Sequence, residues 1–236
     1  MAQGGYRAVT MGAIGGPIRP SGVPSRAVTP PPASPPRSLA ERALAASLVI
    51  AVVDCVYLTW RYLALHGAPS PWVVEHTGVC SWTAGVDCDR VLVTPEARAF
   101  FVPNATLGLG FFAGAAYWWF VGTRRHPAHR AHLARTLAFW LGVATLFTFR
   151  FWWLLLHLPA LCPFCPWNHV FTYVAFGAAL AVWREAKRAE PGAHPPWREL
   201  LPHVAWSIAP LVLVHALWWM LVARGVVDAG TTIVGR

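Results

Sequence analysis

The sequence predicts an all-α polytopic membrane protein: a four-helix transmembrane bundle with a fifth transmembrane helix beside it. Three observations lead there. Hydrophobic residues make up 56% of the 236 positions, with 14 Trp and only 12% charged residues. Mean hydropathy is +0.45. Five runs, at 43–65, 102–122, 137–158, 162–183 and 204–223, reach the roughly 20 mostly apolar residues that a crossing needs. A soluble domain of this length could not bury so much apolar surface.

Ahead of the first run, residues 1–40 include the stretch GGPIRPSGVPSRAVTPPPASPPRS. It is rich in Pro, Gly and Ser and poor in large apolar side chains, so it cannot build a core and reads as a disordered cytoplasmic tail. It lacks the apolar centre of a cleavable signal peptide. The run that begins at 43 is long enough to stay in the membrane.

The formal net charge is +9, but the cations stand between apolar runs and not along one face, which argues against nucleic acid. Arg7, Arg19, Arg26, Arg37 and Arg42 precede the first run. Arg124, Arg125, Arg130 and Arg135 separate the second from the third, and Arg184, Lys187, Arg188 and Arg198 the fourth from the fifth. If the runs alternate, all three clusters share one side. Basic loops stay in the cytoplasm, so the N-terminus is expected inside and the C-terminus outside. Two ionisable residues, Asp54 and Arg150, lie well inside the first and third runs. Charge in lipid is costly unless it is paired, and an ion pair bracing those two helices is expected.

The cysteines carry the chemistry. With this orientation Cys80 and Cys88 lie in the outer loop 66–101, and Cys162 and Cys165 form a Cys-Pro-Phe-Cys motif at the outer end of the fourth run. Four of the five thiols therefore share the side where disulfides persist. Cys55, in the middle of the first run, reads as a small apolar core residue. At a helix start the unpaired N–H groups and the dipole stabilise a thiolate, and Pro163 is tolerated in a first turn. Chemistry alone leaves a redox pair, Zn or Cu ligation, and a structural bridge open. Seven residues separate Cys80 from Cys88, a spacing loose for a metal knuckle. It suits a loop disulfide that exchanges with another protein and then with a second internal pair, or a plain structural bridge.

The residues together resemble the vitamin K epoxide reductase family in its bacterial form. The likeness rests on Val56 to Trp60, on Cys80 and Cys88 followed by Asp89-Arg90-Val91, on Val102-Pro103-Asn104 through Gly108, and on Cys162-Pro163-Phe164-Cys165, in that order. It implies an enzyme, a quinone-dependent thiol-disulfide oxidoreductase, with a catalytic four-helix domain over residues 41–185. A cytoplasmic linker, the fifth helix and a short extracytoplasmic tail then fill 186–236. By position, Cys165 would stand nearest a quinone (ubiquinone or menaquinone), and Cys162 would exchange with the Cys80–Cys88 pair. That pair would meet a thioredoxin-like (DsbA-like) partner, supporting disulfide formation in exported proteins at the bacterial inner membrane. Which loop cysteine faces Cys162 stays open, with Cys88 expected outward.

Asn104 falls where the family places an Asn that binds a quinone oxygen; read without the resemblance it is an ordinary helix N-cap. His169 stands where vertebrate members carry Tyr. Its imidazole would serve a quinone oxygen as donor or proton carrier, or simply pack against a neighbouring helix. The stretch VTPEARAFFVPN is shorter than usual for the family and implies a smaller lid. The chain ends soon after the fifth run, without the thioredoxin-like domain fused to many bacterial relatives, so the partner is expected to be a separate protein. The alternative of another class is a membrane metal-binding or transport protein that uses the outer cysteines as soft ligands.

Overall fold

The computed structural model describes residues 38–66, 79–80, 83, 85–99, 101–158, 160–189 and 197–226. Most of the Pro-rich stretch expected to be a disordered tail, at 1–37, lies outside the described residues, as do 190–196 in the linker and 227–236 at the C-terminus.

The first long helix, α1, spans Leu39–His66. It starts four residues before the apolar run because Ser38 accepts the Glu41 N–H at 3.3 Å, the first half of a Ser-x-x-Glu cap. A short helix α2, Cys88–Leu92, and a two-residue hairpin, β1 at Arg98–Ala99 and β2 at Val102–Pro103, follow on the far side. Then come α3 at Asn104–Arg125, α4 at Arg130–Leu155, α5 at Phe164–Ala189 and α6 at Trp197–Ala223. Val102 and Pro103 are spent on the hairpin, where Arg98 pairs with Pro103 and Ala99 with Val102. The second crossing therefore opens at Asn104. Pro103 occupies its N-cap position, and Asn104, expected there as the cap on a reading of the residues alone, is the first helical residue.

Four helices close into a ring. The helix α5 packs between α1 and α4, while α3 packs against α1 and more lightly against α4. The centre is filled by Leu44, Leu48, Ala51, Trp118, Leu137, Leu141 and Ala179, all buried. The Trp118 indole donates to the Leu133 carbonyl at 3.0 Å, and Arg130 pairs with Glu41, tying α4 to its neighbours at the end opposite the cysteines. Phe139, Trp140, Leu146, Phe147 and Phe149 of α4 are exposed, as expected of a helix whose outer face meets lipid.

The helix α6 stands outside the ring against α3. The approach is close because α3 offers Gly110 and Gly114, four residues apart. A Cβ at Gly110 would lie 2.8 Å from the Leu211 backbone and one at Gly114 2.0 Å from the Ser207 carbonyl oxygen. Small residues one turn apart are how membrane helices pack backbone to backbone.

Among the described residues, four helices are long and apolar enough to cross a membrane: Leu39–His66, Asn104–Arg125, Pro127–Leu155 and Val204–Ala223. The remaining expected crossing is α5. Its 26 residues give a length of about 39 Å at 1.5 Å per residue, but Asn168 and His169 lower its hydropathy. Both polar groups have partners inside the ring. The Asn168 amide donates to Asp54 of α1 at 2.8 Å, and buried His169 stacks on Phe151 of α4.

The expected ion pair does not form. Asp54 binds Asn168, whereas Arg150 is on the exposed face of α4 with its guanidinium over Trp153, 5.5 Å from the ring centre. Arg150 is exposed on α4 rather than directed at the helix that carries Asp54.

Candidate functional site

The site is assembled at the end of the ring where α2 and the hairpin lie. Cys80 and Cys88 form a disulfide with Cα atoms 5.7 Å apart. Cys55, Cys162 and Cys165 are free thiols. Cys88 was expected to face outward, yet Cys80, Cys88 and Cys162 are all 0% exposed and the Cys88 and Cys162 sulfurs are 3.1 Å apart.

Backbone pairing is the reason. Leu161 N–H donates to the Gly85 carbonyl at 2.9 Å and Asp87 N–H to the Leu161 carbonyl at 3.1 Å. The loop is thus sewn to the residue immediately before Cys162. Asp87 then caps α2, its Oδ1 accepting from the N–H groups of Asp89 at 2.9 Å and Arg90 at 3.3 Å. Cys88, first in that helix, is turned toward the bundle.

An ion pair fixes α2 to α1. Arg61, 1% exposed, donates from Nε to Asp89 Oδ1 at 2.8 Å and from Nη2 to Oδ2 at 2.5 Å. This is the two-pronged geometry in which guanidinium and carboxylate bind best. One turn earlier on the same face, the Tyr57 hydroxyl accepts from Val79 N–H at 3.2 Å and points at Cys80 Sγ from 3.9 Å. Its ring lies 4.9 Å from that of Phe164, between the two motif cysteines. Tyr57, Arg61 and Asp89 therefore hold the two cysteine pairs in register. The sequence reading missed that role, although an Arg inside the apolar run 43–65, four residues after a Tyr, is a legible signal.

Cys162 precedes α5. The Cys165 thiol and the backbone N–H groups of Cys165 and Phe164 are directed at its sulfur. These are the helix-start donors anticipated from the motif's position. Cys55 is buried, as expected of a core residue, and its sulfur receives the Asn168 amide at 3.3 Å.

Asn104 and His169 are held by different elements. The Asn104 amide nitrogen donates to the Glu96 carbonyl at 2.9 Å, bracing the hairpin from within, while its Oδ1 is buried without a partner. An orphaned acceptor suits a group that brings a hydroxyl, and a hydroquinone does. His169 packs between Phe151 and Trp152, with ring centres 5.9 and 5.5 Å away.

Two cysteine pairs in contact at one end of an apolar helical ring make a membrane device for thiol–disulfide exchange. The sequence pattern of the Vitamin K epoxide reductase family matches residues 42–180, more than half of the chain, and the chain belongs to that family. It is accordingly a multi-pass membrane oxidoreductase of thiols and disulfides. The match runs from α1 into α5 and ends before α6. No characterised protein and no solved structure matches the chain.

Proposed function

We propose that the chain oxidises a separate thioredoxin-like (DsbA-like) protein and passes the electrons through Cys80 and Cys88, then Cys162 and Cys165, to a membrane quinone, either ubiquinone or menaquinone. The observation that carries this reading is the 3.1 Å contact between Cys88 and Cys162 sulfurs, which joins the two pairs. The loop dithiol, once reduced by the partner, attacks a Cys162–Cys165 disulfide. Cys88 thiolate bonds to Cys162 sulfur and Cys165 leaves as thiolate; Cys80 then attacks Cys88, releasing Cys162. The products are a Cys80–Cys88 disulfide with Cys162 and Cys165 reduced, the same pairing the structure carries. A quinone supplies the sink, taking up two electrons and two protons. Cys165 would face it, with Asn104 offering its open acceptor and His169 an imidazole from the same ring.

In this reading the protein sits in the bacterial inner membrane with its N-terminus in the cytoplasm. Residues 41–185 form the catalytic domain; 1–40 are its cytoplasmic tail, and 186–236 supply the linker, fifth helix and outer tail. The soft-metal alternative loses ground, because a disulfide between Cys80 and Cys88 removes two of the thiolates it requires. The test is complementation: bacteria lacking their own quinone-linked oxidase should regain disulfide formation when they express this chain. Failure to do so in a well-expressed, membrane-inserted form would refute the proposal.

A further inference from the structure

We infer that Trp218 of α6 is a positioning residue for the site, clamping the β1–β2 hairpin and, through it, Asn104. The inference rests on the quinone reading above for its consequence, but the clamp itself stands on geometry. The Trp218 indole N–H donates to the Phe101 carbonyl at 3.0 Å. Phe101 forms the turn between β1 and β2 and is held at a φ of 65°, a left-handed conformation that a bulky residue adopts only when its surroundings impose it. The Trp218 ring also meets Tyr62 of α1 edge-on at 5.6 Å, and Tyr62 in turn carries the Arg98 guanidinium over its face at 5.6 Å. The hairpin is therefore anchored at its turn by α6 and at its first strand by α1.

The anchor leads directly to the site. Arg98 pairs with Pro103, Pro103 precedes Asn104, and the Asn104 amide donates back to Glu96, two residues before Arg98. Trp residues near the end of a membrane helix commonly belong to the aromatic belt at the lipid surface. Trp218 does not, since it is 2% exposed and packs in one buried cluster with Cys80, Cys88 and Cys162. The glycine seam at Gly110 and Gly114 fixes the position of α6 on α3, so the indole reaches Phe101 from a rigid support. Since α6 lies beyond residues 42–180, the four-helix unit of this chain borrows a fixing point from outside the family's own span.

The test is hydrogen exchange on the full chain in detergent, comparing wild type with Trp218→Phe and, as control, Trp219→Phe, whose indole is directed at His215 instead. The amides of Arg98, Ala99, Phe101 and Val102 should exchange at least about fivefold faster in Trp218→Phe, the order expected for losing one buried hydrogen bond, while α1 and α3 keep their protection and Trp219→Phe matches wild type. Quinone KM should rise severalfold with kcat nearly unchanged. Incorporating benzothienylalanine at 218 removes only the N–H from an isosteric ring and should reproduce both effects even if Trp218→Phe misfolds. Wild-type exchange at those four amides in these variants would overturn the clamp. A loosened hairpin with unchanged KM would overturn its link to Asn104. If the wild type reduces no quinone at all, the quinone reading fails and the exchange data alone decide the clamp.

Discussion

Cys88 Sγ lies 3.1 Å from Cys162 Sγ and is at the same time bonded to Cys80 Sγ. The Cys88 sulfur is thus common to two possible disulfides, and in the proposed electron path Cys80 is the cysteine left to meet a partner.

The first prediction follows from that asymmetry. Cys165→Ala removes the thiol that completes the motif pair but leaves Cys162 beside Cys88. Quinone reduction should fall to background, and non-reducing mass spectrometry should recover a Cys88–Cys162 disulfide and no Cys80–Cys162 one. Persistent quinone reduction in this variant, or a bridge to Cys80, would contradict the assignment. Cys55→Ala, which touches a buried thiol outside both pairs, should remain active.

The Arg61–Asp89 pair should respond unequally to its two deletions. Arg61 is 1% exposed and Asp89 23%, so removing the carboxylate takes the two-pronged acceptor from a buried cation, whereas removing the guanidinium leaves a carboxylate that water reaches. Broken buried pairs cost about 3–5 kcal/mol, and the partial exposure of Asp89 reduces that to roughly 2 kcal/mol for Asp89→Ala. Arg61→Met should cost less. Thermal unfolding in detergent gives the order, and a larger loss in Arg61→Met would count against this account. Both variants should slow exchange between the cysteine pairs, since α2 loses its tether.

Two glycines test the seam between α3 and α6. A Cβ at Gly114 would stand 2.0 Å from the Ser207 carbonyl oxygen, while one at Gly177 meets nothing within 4 Å. Gly114→Ala should therefore displace α6 and lower the melting temperature. Gly177→Ala should be neutral or stabilising by up to about 1 kcal/mol, the helix-propensity gain. Equal effects at the two positions would show that the packing of α6 is looser than described.

The helices and cysteines were legible in the sequence because each is a local signal: an apolar run reports its own burial, and a Cys-x-x-Cys motif its own spacing. The membership of Cys88 in the inner contact was not, since it depends on Leu161 binding the backbone of Gly85 and Asp87, partners more than seventy residues away. Arg61 with Asp89, 28 residues apart, and Trp218 with Phe101, 117 apart, likewise meet only once the chain has folded. Matching depth in two helices suggested a pair between Asp54 and Arg150, but depth says nothing about rotation around the helix axis. A neutral partner, Asn168, was available on the face that Asp54 meets.

That correction supplies the last prediction, made as two double-mutant cycles read by unfolding. Asp54 accepts the Asn168 amide at 2.8 Å, and the same amide contacts Cys55 sulfur at 3.3 Å. Asp54→Asn and Asn168→Ala should each destabilise the protein, but the double variant should cost less than their sum, with a coupling of about 0.5 kcal/mol or more, as expected for residues in one hydrogen-bonded group. Arg150 has its guanidinium over Trp153 on the exposed face of α4, where a cation–π contact contributes about 0.5–1 kcal/mol. Arg150→Gln should be mild by itself, and its effect should add to that of Asp54→Asn within about 0.5 kcal/mol. A strong coupling between Asp54 and Arg150 would restore the ion pair inferred from depth and remove Asn168 from its place as the partner of Asp54.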